Sequence, residues 1–186
     1  MLTVHHEIPE ISVIIPAYNA QPWIRECLGS LVAQSMQNWE AVVVDDCSTD
    51  ETLKTIEGMA REDERIRVFH HEENKGPSCA INLGLDNVKG KYVLILGSDD
   101  LFADNSLEAI VNACETNNLD ILRFSAENFA DSDGFEEDVK LANWYCKMPL
   151  HDSGVLTGIE LLALENELRG RVPAHPVQIC YRRDLI

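Results

Sequence analysis

Basic residues are scarce in this 186-residue sequence. It has 15 lysines and arginines against 32 aspartates and glutamates, which gives a formal net charge of −17 at pH 7. A surface with this excess of negative charge repels phosphate backbones and anionic lipid headgroups. We therefore expect no nucleic acid among its partners. A phosphate-bearing ligand would have to be held by local groups or by a metal ion.

Closely spaced cysteines are also absent. Structural zinc sites and redox pairs need close spacing, and secreted disulfide frameworks are denser than this. We therefore interpret the cysteines as reduced, small hydrophobic residues of a cytoplasmic protein. The six are spread along the whole chain, at Cys27, Cys47, Cys79, Cys114, Cys146 and Cys180.

Long hydrophobic runs are missing as well. The longest have about six residues, far below the roughly 20 that a membrane-spanning helix needs. The first ten residues, MLTVHHEIPE, lack a cationic segment followed by an apolar stretch. We expect neither a signal peptide nor a transmembrane segment. Peripheral attachment to a membrane would need regions that this sequence does not contain.

Short apolar runs rich in β-branched residues alternate with segments of helical periodicity. Because the runs are continuous rather than alternating, they indicate strands covered on both faces, as in parallel sheets. We predict an α/β fold, a three-layer α/β/α sandwich with a mostly parallel central sheet. The predicted strands are 11–16, 39–45, 66–71, 92–97, 120–124 and 177–181.

Helices are predicted between several of these strands. Residues 48–51, STDE, have the pattern of a capping box that opens one helix, and Asn105 with Glu108 opens another in the same way. Another helix is predicted from 157 to about 168, after an acidic surface loop at 127–140. The helix predicted over 22–33 has one apolar face, formed by Trp23, Cys27, Leu28, Leu31 and Val32. We expect both Trp23 and Trp39 to lie in the core.

Polar residues follow three of the predicted strands. The first strand runs into PAYN, the second into Asp45 and Asp46, and the fourth into Asp99 and Asp100. Ligands of such sheets bind at the carboxyl ends of the strands. Paired carboxylates oppose each other's ionisation, and a divalent cation such as Mg²⁺ or Mn²⁺ removes that penalty. The alternative interpretation is that these acids are ordinary turn residues or lie at helix N-termini.

Four segments in this order resemble the family-2 glycosyltransferases, which have the GT-A fold. ISVIIPAYNA is similar to their opening strand and nucleotide loop, and WIRECLGSLVAQSMQNWEAVVVDDCSTDET to the helix, strand and Asp-containing loop that follow. NKGPSCAINLGLDNVKGKYVLILGSDDLF resembles the passage into their D-x-D-type metal motif. PAHPVQICYRRDLI resembles a later strand with a Tyr-Arg-Arg segment. The resemblance therefore extends over most of the chain.

The resemblance implies a site for the donor nucleotide. Asp46 would accept a hydrogen bond from the N–H of the base, which favours uracil or thymine. Lys75 and Gly76 would open the loop that closes over the nucleoside. The residues that would line the base are Pro16, Ala17 and Tyr18.

The same resemblance implies a metal site. Asp99 would contact the ribose, and Asp100 together with Asp99 would hold a Mg²⁺ or Mn²⁺ ion that bridges the diphosphate oxygens. Two positions depart from the family pattern, because Gly97 stands where another aspartate is usual and Ile81 where an arginine is common. The first departure puts the ribose contact in doubt, and the second removes a cation from the diphosphate site.

By this resemblance the activity is transfer of a sugar from a UDP or dTDP sugar to the hydroxyl of a sugar or glycan acceptor, with inversion, in polysaccharide or glycoconjugate synthesis. We predict a single domain over 1–186. It would comprise an N-terminal extension at 1–10, a nucleotide-sugar-binding half at 11–125 and an incomplete acceptor half at 126–186.

The family's usual catalytic base is expected beyond Ile186, so we interpret the sequence as truncated at its C-terminus and assign no catalytic residue. Asp152 and His175 are conceivable substitutes for that base. Truncation would expose apolar surface around Val177, Ile179 and Tyr181, which would favour a homo-oligomer.

Two other functions stay open. A non-catalytic fragment that binds nucleotide sugars would have the same site without turnover. A receiver-like signalling domain also binds Mg²⁺ through paired acids, but its acid pair follows the first strand, which here ends in PAYN. A dinucleotide dehydrogenase is disfavoured because no G-x-G-x-x-G follows that strand.

Overall fold

The computed structural model describes residues 8–124, 126 and 179–186. By its contacts the chain divides into two units, Met1–Leu122 together with Ile179–Ile186, and Arg123–Gln178. Nearly all described residues belong to the first unit. Several predictions fall outside the described residues: the loop at 127–140, the helix at 157–168, Cys146, Asp152, His175 and Val177.

A mostly parallel sheet forms the centre of the first unit. Its order is β3-β2-β1-β4-β6-β5. β1 pairs in parallel with β2 and β4, β2 pairs in parallel with β3, and β6 runs antiparallel to β4. The strands are β1 (Ile11–Ala17), β2 (Trp39–Asp45), β3 (Ile66–His70), β4 (Tyr92–Ile95), β5 (Ile121–Arg123) and β6 (Ile179–Arg182). This mixed, mostly parallel sheet with flanking helices confirms the predicted α/β sandwich.

Four α-helices and one short 3₁₀ turn accompany the described strands. They are α1 (Ile24–Val32), α2 (Thr52–Glu62), α3 (Pro77–Leu85), α4 (Ser106–Asn117) and the turn Arg183–Leu185. All seven residues of β2 are buried. Because successive side chains of a strand point to opposite faces, both faces of β2 must be covered. α3 covers one of them, where Ala80 packs with Val42 and Val44.

The helix α3 was not among the predicted helices. Its sequence, PSCAINLGL, lacks a strong amphipathic pattern, but Gly76 followed by Pro77 is a usual helix opening because proline fits the first helical turn. The helix packs so closely on β1 that a Cβ at Gly84 would lie 2.5 Å from Ile14 Cγ2. Small residues therefore permit this contact.

The predicted apolar face of α1 was partly wrong. Trp23 is 44 % exposed and Val32 is 37 % exposed, whereas Ile24 is fully buried. The helix begins at Ile24, so the 3- and 4-residue spacing that reaches the core starts there and leaves Trp23 at the N-cap. Trp39 lies in the core as predicted.

Neither predicted side-chain cap forms. α2 begins at Thr52 with Glu51 at its N-cap and no side-chain cap hydrogen bond. Asn105 stands at the N-cap of α4, also without a side-chain cap hydrogen bond. Glu108 instead accepts a hydrogen bond from Ser35 Oγ at 2.8 Å. Asp50 Oδ1 instead accepts from Thr52 N at 3.0 Å, and both helices are present where these signals predicted them.

No helix in the described ranges combines the length and the apolar character needed to cross a membrane. The described cysteines are all free, and three of them are buried: Cys27, Cys114 and Cys180.

Candidate nucleotide-binding site

The carboxyl ends of β1, β2 and β4 lie on the same edge of the sheet. Ala17 and Asp45 are partners in the parallel register of β1 and β2. One residue further on, Asp46 N donates to Ala17 O at 2.8 Å. On the other side of β1, Leu96 N donates to Ile14 O at 2.9 Å. The polar segments that follow these three strands therefore begin side by side.

The loops after β1 and β2 are joined by their own hydrogen bonds. Asn19 N donates to Ser48 Oγ at 3.0 Å, and Thr49 N donates to Asn19 Oδ1 at 2.9 Å. Asn19 has a φ of 50°, a conformation that asparagine tolerates better than most residues. Ser48 is thus occupied by the neighbouring loop rather than by a helix cap. Tyr18, next to this junction, is 49 % exposed and is available to stack on a ligand.

The side chain of Asp46 is bonded to three other residues at this edge. Its side chain is only 4 % exposed. Oδ1 lies 2.7 Å from His71 Nδ1 and accepts from Lys75 N at 3.0 Å, while Oδ2 accepts from Gly76 N at 2.7 Å. Gly76 has a φ of 84°, which favours glycine, and it leads directly into α3. The predicted residues Ala17, Asp46, Lys75 and Gly76 are therefore held together by direct hydrogen bonds.

The pKa of Asp46 is held below its usual range. Burial by itself raises this pKa, because it disfavours the charged form. The hydrogen bonds from Lys75 N, His71 and Gly76 N oppose burial and outweigh it. The carboxylate consequently stays ionised, and it acts as an acceptor only.

The second acid pair follows β4 on the same edge. A Cβ built on Gly97 would lie 2.6 Å from Asp100 Oδ2 and 2.9 Å from Asp99 Oδ1. Both carboxylates therefore converge on the space that a side chain at position 97 would fill.

Cys27 of α1 contacts the backbone just before this acid pair. Its Sγ is 3.4 Å from Gly97 O. Burial, followed by the charges of Asp100 and Asp99, raises the pKa of the Cys27 thiol to about 12. The thiol is therefore protonated at neutral pH and can donate to this carbonyl. We assign it no metal-binding role.

The acid pair fits a hard divalent cation. Mg²⁺ is usually bound by one or two carboxylates of the protein together with substrate phosphates and water. The two converging carboxylates provide the protein ligands of such a site. No group of three or more potential His, Cys, Asp or Glu ligands occurs within the described ranges. Asp99 and Asp100 are the residues that would hold the ion.

His71 was the important omission from the predicted site. From the sequence it was only one of two histidines at the end of a strand, whereas in the structure it contacts Asp46 from a position 25 residues further along the chain. A polar residue at the end of the strand beside the Asp45–Asp46 strand would have been the available signal. The remaining predicted positions, Pro16 and Tyr18, lie in β1 and immediately after it.

Two solved structures similar to this chain define its class of protein. The chain is similar to Staphylococcus aureus TarS, residues 1–349, in complex with UDP-GlcNAc: the TM-score is 0.69 and the identity 27 %, over 95 % of this chain and 46 % of that one. It is also similar to the mannosyltransferase PcManGT of Pyrobaculum calidifontis in complex with GDP-Man and Mn²⁺, with a TM-score of 0.57 and 26 % identity over 64 % and 36 % of the two chains. The fold is therefore that of a GT-A-type glycosyltransferase domain.

The family of the chain follows from its sequence. The model for glycosyl transferase family 2 matches residues 12–169, and the chain belongs to that family. It is 34 % identical to the glycosyltransferase GlyG of Streptococcus pneumoniae over 124 residues, which are 67 % of this chain and 41 % of GlyG. It is 43 % identical to the putative teichuronic acid biosynthesis glycosyltransferase TuaG of Bacillus subtilis over 100 residues, 54 % of this chain and 40 % of TuaG. The chain thus spans less than half the length of these two relatives.

Proposed function

We propose that this chain forms the donor-binding part of a glycosyltransferase. The enzyme would transfer a sugar from a UDP or dTDP sugar to a hydroxyl of a sugar or glycan acceptor, with inversion at the anomeric carbon. The observation that carries this proposal is the convergence of Asp99 and Asp100 on Gly97, on the sheet edge that also holds Asp46. Family membership supports the reaction type.

The chemistry requires charge stabilisation at the diphosphate. When the bond between sugar and diphosphate breaks, negative charge develops on the leaving group. A bound Mg²⁺ or Mn²⁺ supplies the compensating positive charge. This chain has a net charge of −17 and places isoleucine at position 81, where family members commonly carry arginine. It is therefore expected to depend strongly on that ion, held by Asp99 and Asp100.

The nucleoside would lie at the junction of the β1 and β2 loops. Tyr18 would pack on the base and Asp46 would accept its N–H, while Lys75 and Gly76 begin the segment that covers the nucleoside. Asp99 would additionally contact the ribose. Two similar proteins bind different bases, since TarS was solved with UDP-GlcNAc and PcManGT with GDP-Man. The higher coverage of this chain by TarS supports uracil, and thymine would present the same imino N–H to Asp46.

A biosynthetic role fits the relatives. TuaG is named for teichuronic acid biosynthesis, and a sugar polymer or glycoconjugate is the corresponding acceptor class for this chain. The free cysteines of the described residues support a reaction in the cytoplasm.

Titration calorimetry with UDP tests the proposal. We expect binding in the presence of Mn²⁺ or Mg²⁺ and little binding with a chelator. Asp100→Asn should abolish most of the metal-dependent part, because it removes one of the two converging carboxylates. Asp104→Asn, an exposed aspartate four residues further on, is the matched control and should bind as the unaltered chain does. Equal affinity with metal and with chelator would contradict the proposed metal site.

A further inference from the structure

We infer that His71 is a positioning residue that determines which bases Asp46 can bind. Its side chain occupies an acceptor position of the Asp46 carboxylate and so leaves room for one base N–H instead of two. The inference rests on the proposed function, since it requires that a base reaches Asp46.

The argument begins with a count of acceptor positions. An ionised carboxylate has about four lone-pair sites, two on each oxygen. On Asp46, Oδ1 is occupied twice, by His71 Nδ1 at 2.7 Å and by Lys75 N at 3.0 Å. Oδ2 is occupied once, by Gly76 N at 2.7 Å. Counting the described residues alone, one acceptor position is left for a ligand, on Oδ2.

The bases differ in how many donors they present to such a group. Uracil and thymine offer a single imino N–H flanked by carbonyl oxygens. Guanine offers an imino N–H beside an amino N–H, and this pair binds a carboxylate with one bond to each oxygen. With Oδ1 already filled, Asp46 would leave one guanine donor unpaired in a buried site. Such an unpaired polar group is the strongest basis for discrimination between similar ligands.

His71 is the one donor of the three that a side-chain substitution can remove. The other two are backbone N–H groups of Lys75 and Gly76. His71 is fixed in place by its own backbone, which donates to Asp45 O at 3.0 Å, and its side chain is 12 % exposed. Nδ1 must carry the shared proton, whether the ring is neutral or charged, because the ionised carboxylate only accepts.

The test compares two substitutions of similar shape. Asparagine places a nitrogen donor at the position of His71 Nδ1, and leucine places a methyl group there. UDP and GDP affinities are measured by titration calorimetry with Mn²⁺ on His71→Asn, His71→Leu and the unaltered chain. His70→Leu is the control, since His70 is the exposed neighbour at the end of β3.

The unaltered chain, His70→Leu and His71→Asn should all bind UDP more tightly than GDP. In His71→Leu the ratio of UDP affinity to GDP affinity should fall by about tenfold or more, which is the effect of one hydrogen bond to a charged group. His71→Phe carries the same expectation if His71→Leu does not fold.

Several results would overturn the inference. An unchanged ratio of GDP to UDP affinity in the leucine and phenylalanine variants would do so, as would an equal loss of both nucleotides, which is what a merely structural role produces. The inference would also be contradicted if the preference for UDP over GDP fell equally in His71→Asn and in His71→Leu. If the unaltered chain bound neither nucleotide, the proposed function would fail and the inference with it.

Discussion

Asp46 illustrates how a single residue can stay charged although it is buried. Burial raises the pKa of this carboxyl, but donors from three different positions lower it further than burial raises it. The ionised form is therefore preferentially stabilised in the folded protein. A group of this kind makes stability depend on pH.

Asp46→Asn should show that dependence. Because the folded pKa is depressed, the charged carboxylate contributes stability at pH values above the unfolded pKa of about 3.9 and loses it as the pH falls through the lower folded pKa. The variant should unfold about 1–3 kcal/mol more easily near neutral pH, and the difference should shrink below about pH 4. Urea unfolding across this pH range measures it. A difference that grew as the pH fell would contradict the assignment.

Gly97 is the residue on which the geometry of the acid pair depends. In Gly97→Ala the new methyl group would lie closer to Asp100 Oδ2 and Asp99 Oδ1 than van der Waals contact allows. Both carboxylates are side chains that can move aside, so folding should persist while the metal-binding geometry is lost. We expect an unchanged thermal midpoint and UDP binding weakened about tenfold or more with Mn²⁺, comparable to losing one charge-assisted contact. If the variant bound UDP with Mn²⁺ as tightly as the unaltered chain does, metal binding would not depend on this arrangement of Asp99 and Asp100.

At the scale of elements, α3 depends on close approach to the sheet. Gly84 of this helix lies against Ile14 of β1, and its neighbour Ala80 packs on Val42 and Val44. The helix also begins directly after Lys75 and Gly76, whose N–H groups bind Asp46. The packing of α3 therefore determines where these two donors lie.

Gly84→Ala should destabilise the protein by about 1–3 kcal/mol, because overpacking outweighs the gain in helix propensity. Gly58→Ala in α2 is the matched control, since no atom lies within 4 Å of the added Cβ. That change should be neutral or stabilising by up to about 1 kcal/mol. Chemical unfolding of both variants gives the comparison, and equal effects in the two would refute the close-packing argument.

The amino-terminal edge of the sheet is joined by a separate polar cluster. Glu40 accepts from Ser12 Oγ at 2.7 Å and from Arg67 Nη1 at 2.8 Å, which links β1, β2 and β3. Burial raises the pKa of Glu40, but these donors and Lys89 N together lower it. The cluster lies at the opposite end of β2 from Asp45 and Asp46. Its role is to hold the strands in register.

At the scale of the whole molecule, the last described residues complete the sheet from far along the chain. β6 pairs antiparallel with β4, where Leu94 is opposite the buried Cys180. Arg182 N donates to Asp120 O at 2.8 Å and Arg183 N donates to Lys91 O at 2.9 Å. β6 therefore covers the edge of β4, the strand that leads to the acid pair, and the bond to Asp120 joins it to the segment before β5.

Removing residues 179–186 should therefore lower the thermal midpoint and cause self-association, because an uncovered strand edge pairs with other chains. Removing only Leu185 and Ile186, which are exposed, is the control and should change neither property. Light scattering and thermal unfolding measure the two effects. A shortened chain that stayed monomeric with an unchanged midpoint would show that β6 contributes little.

The sequence by itself determined the features that are local. The resemblance of four ordered segments to the family-2 glycosyltransferases implied the GT-A fold. Continuous apolar runs predicted the strands and, with the polar residues that follow them, the acids at the strand ends. Periodicity and the chemistry of neighbouring residues carry this information within a few positions of the chain. The helical pattern nevertheless placed Trp23 on the buried face, because the start of a helix is not encoded by periodicity alone.

Only the tertiary structure decided which groups meet. The bond between His71 and Asp46 joins residues 25 positions apart, and the space that the two carboxylates fill beside Gly97 exists only once β4 and the turn after it have formed. The helix α3 escaped prediction because its small residues are selected by contact with β1. Hydrogen-bond partners and close packing are properties of distances in space, which short patterns along a chain do not specify.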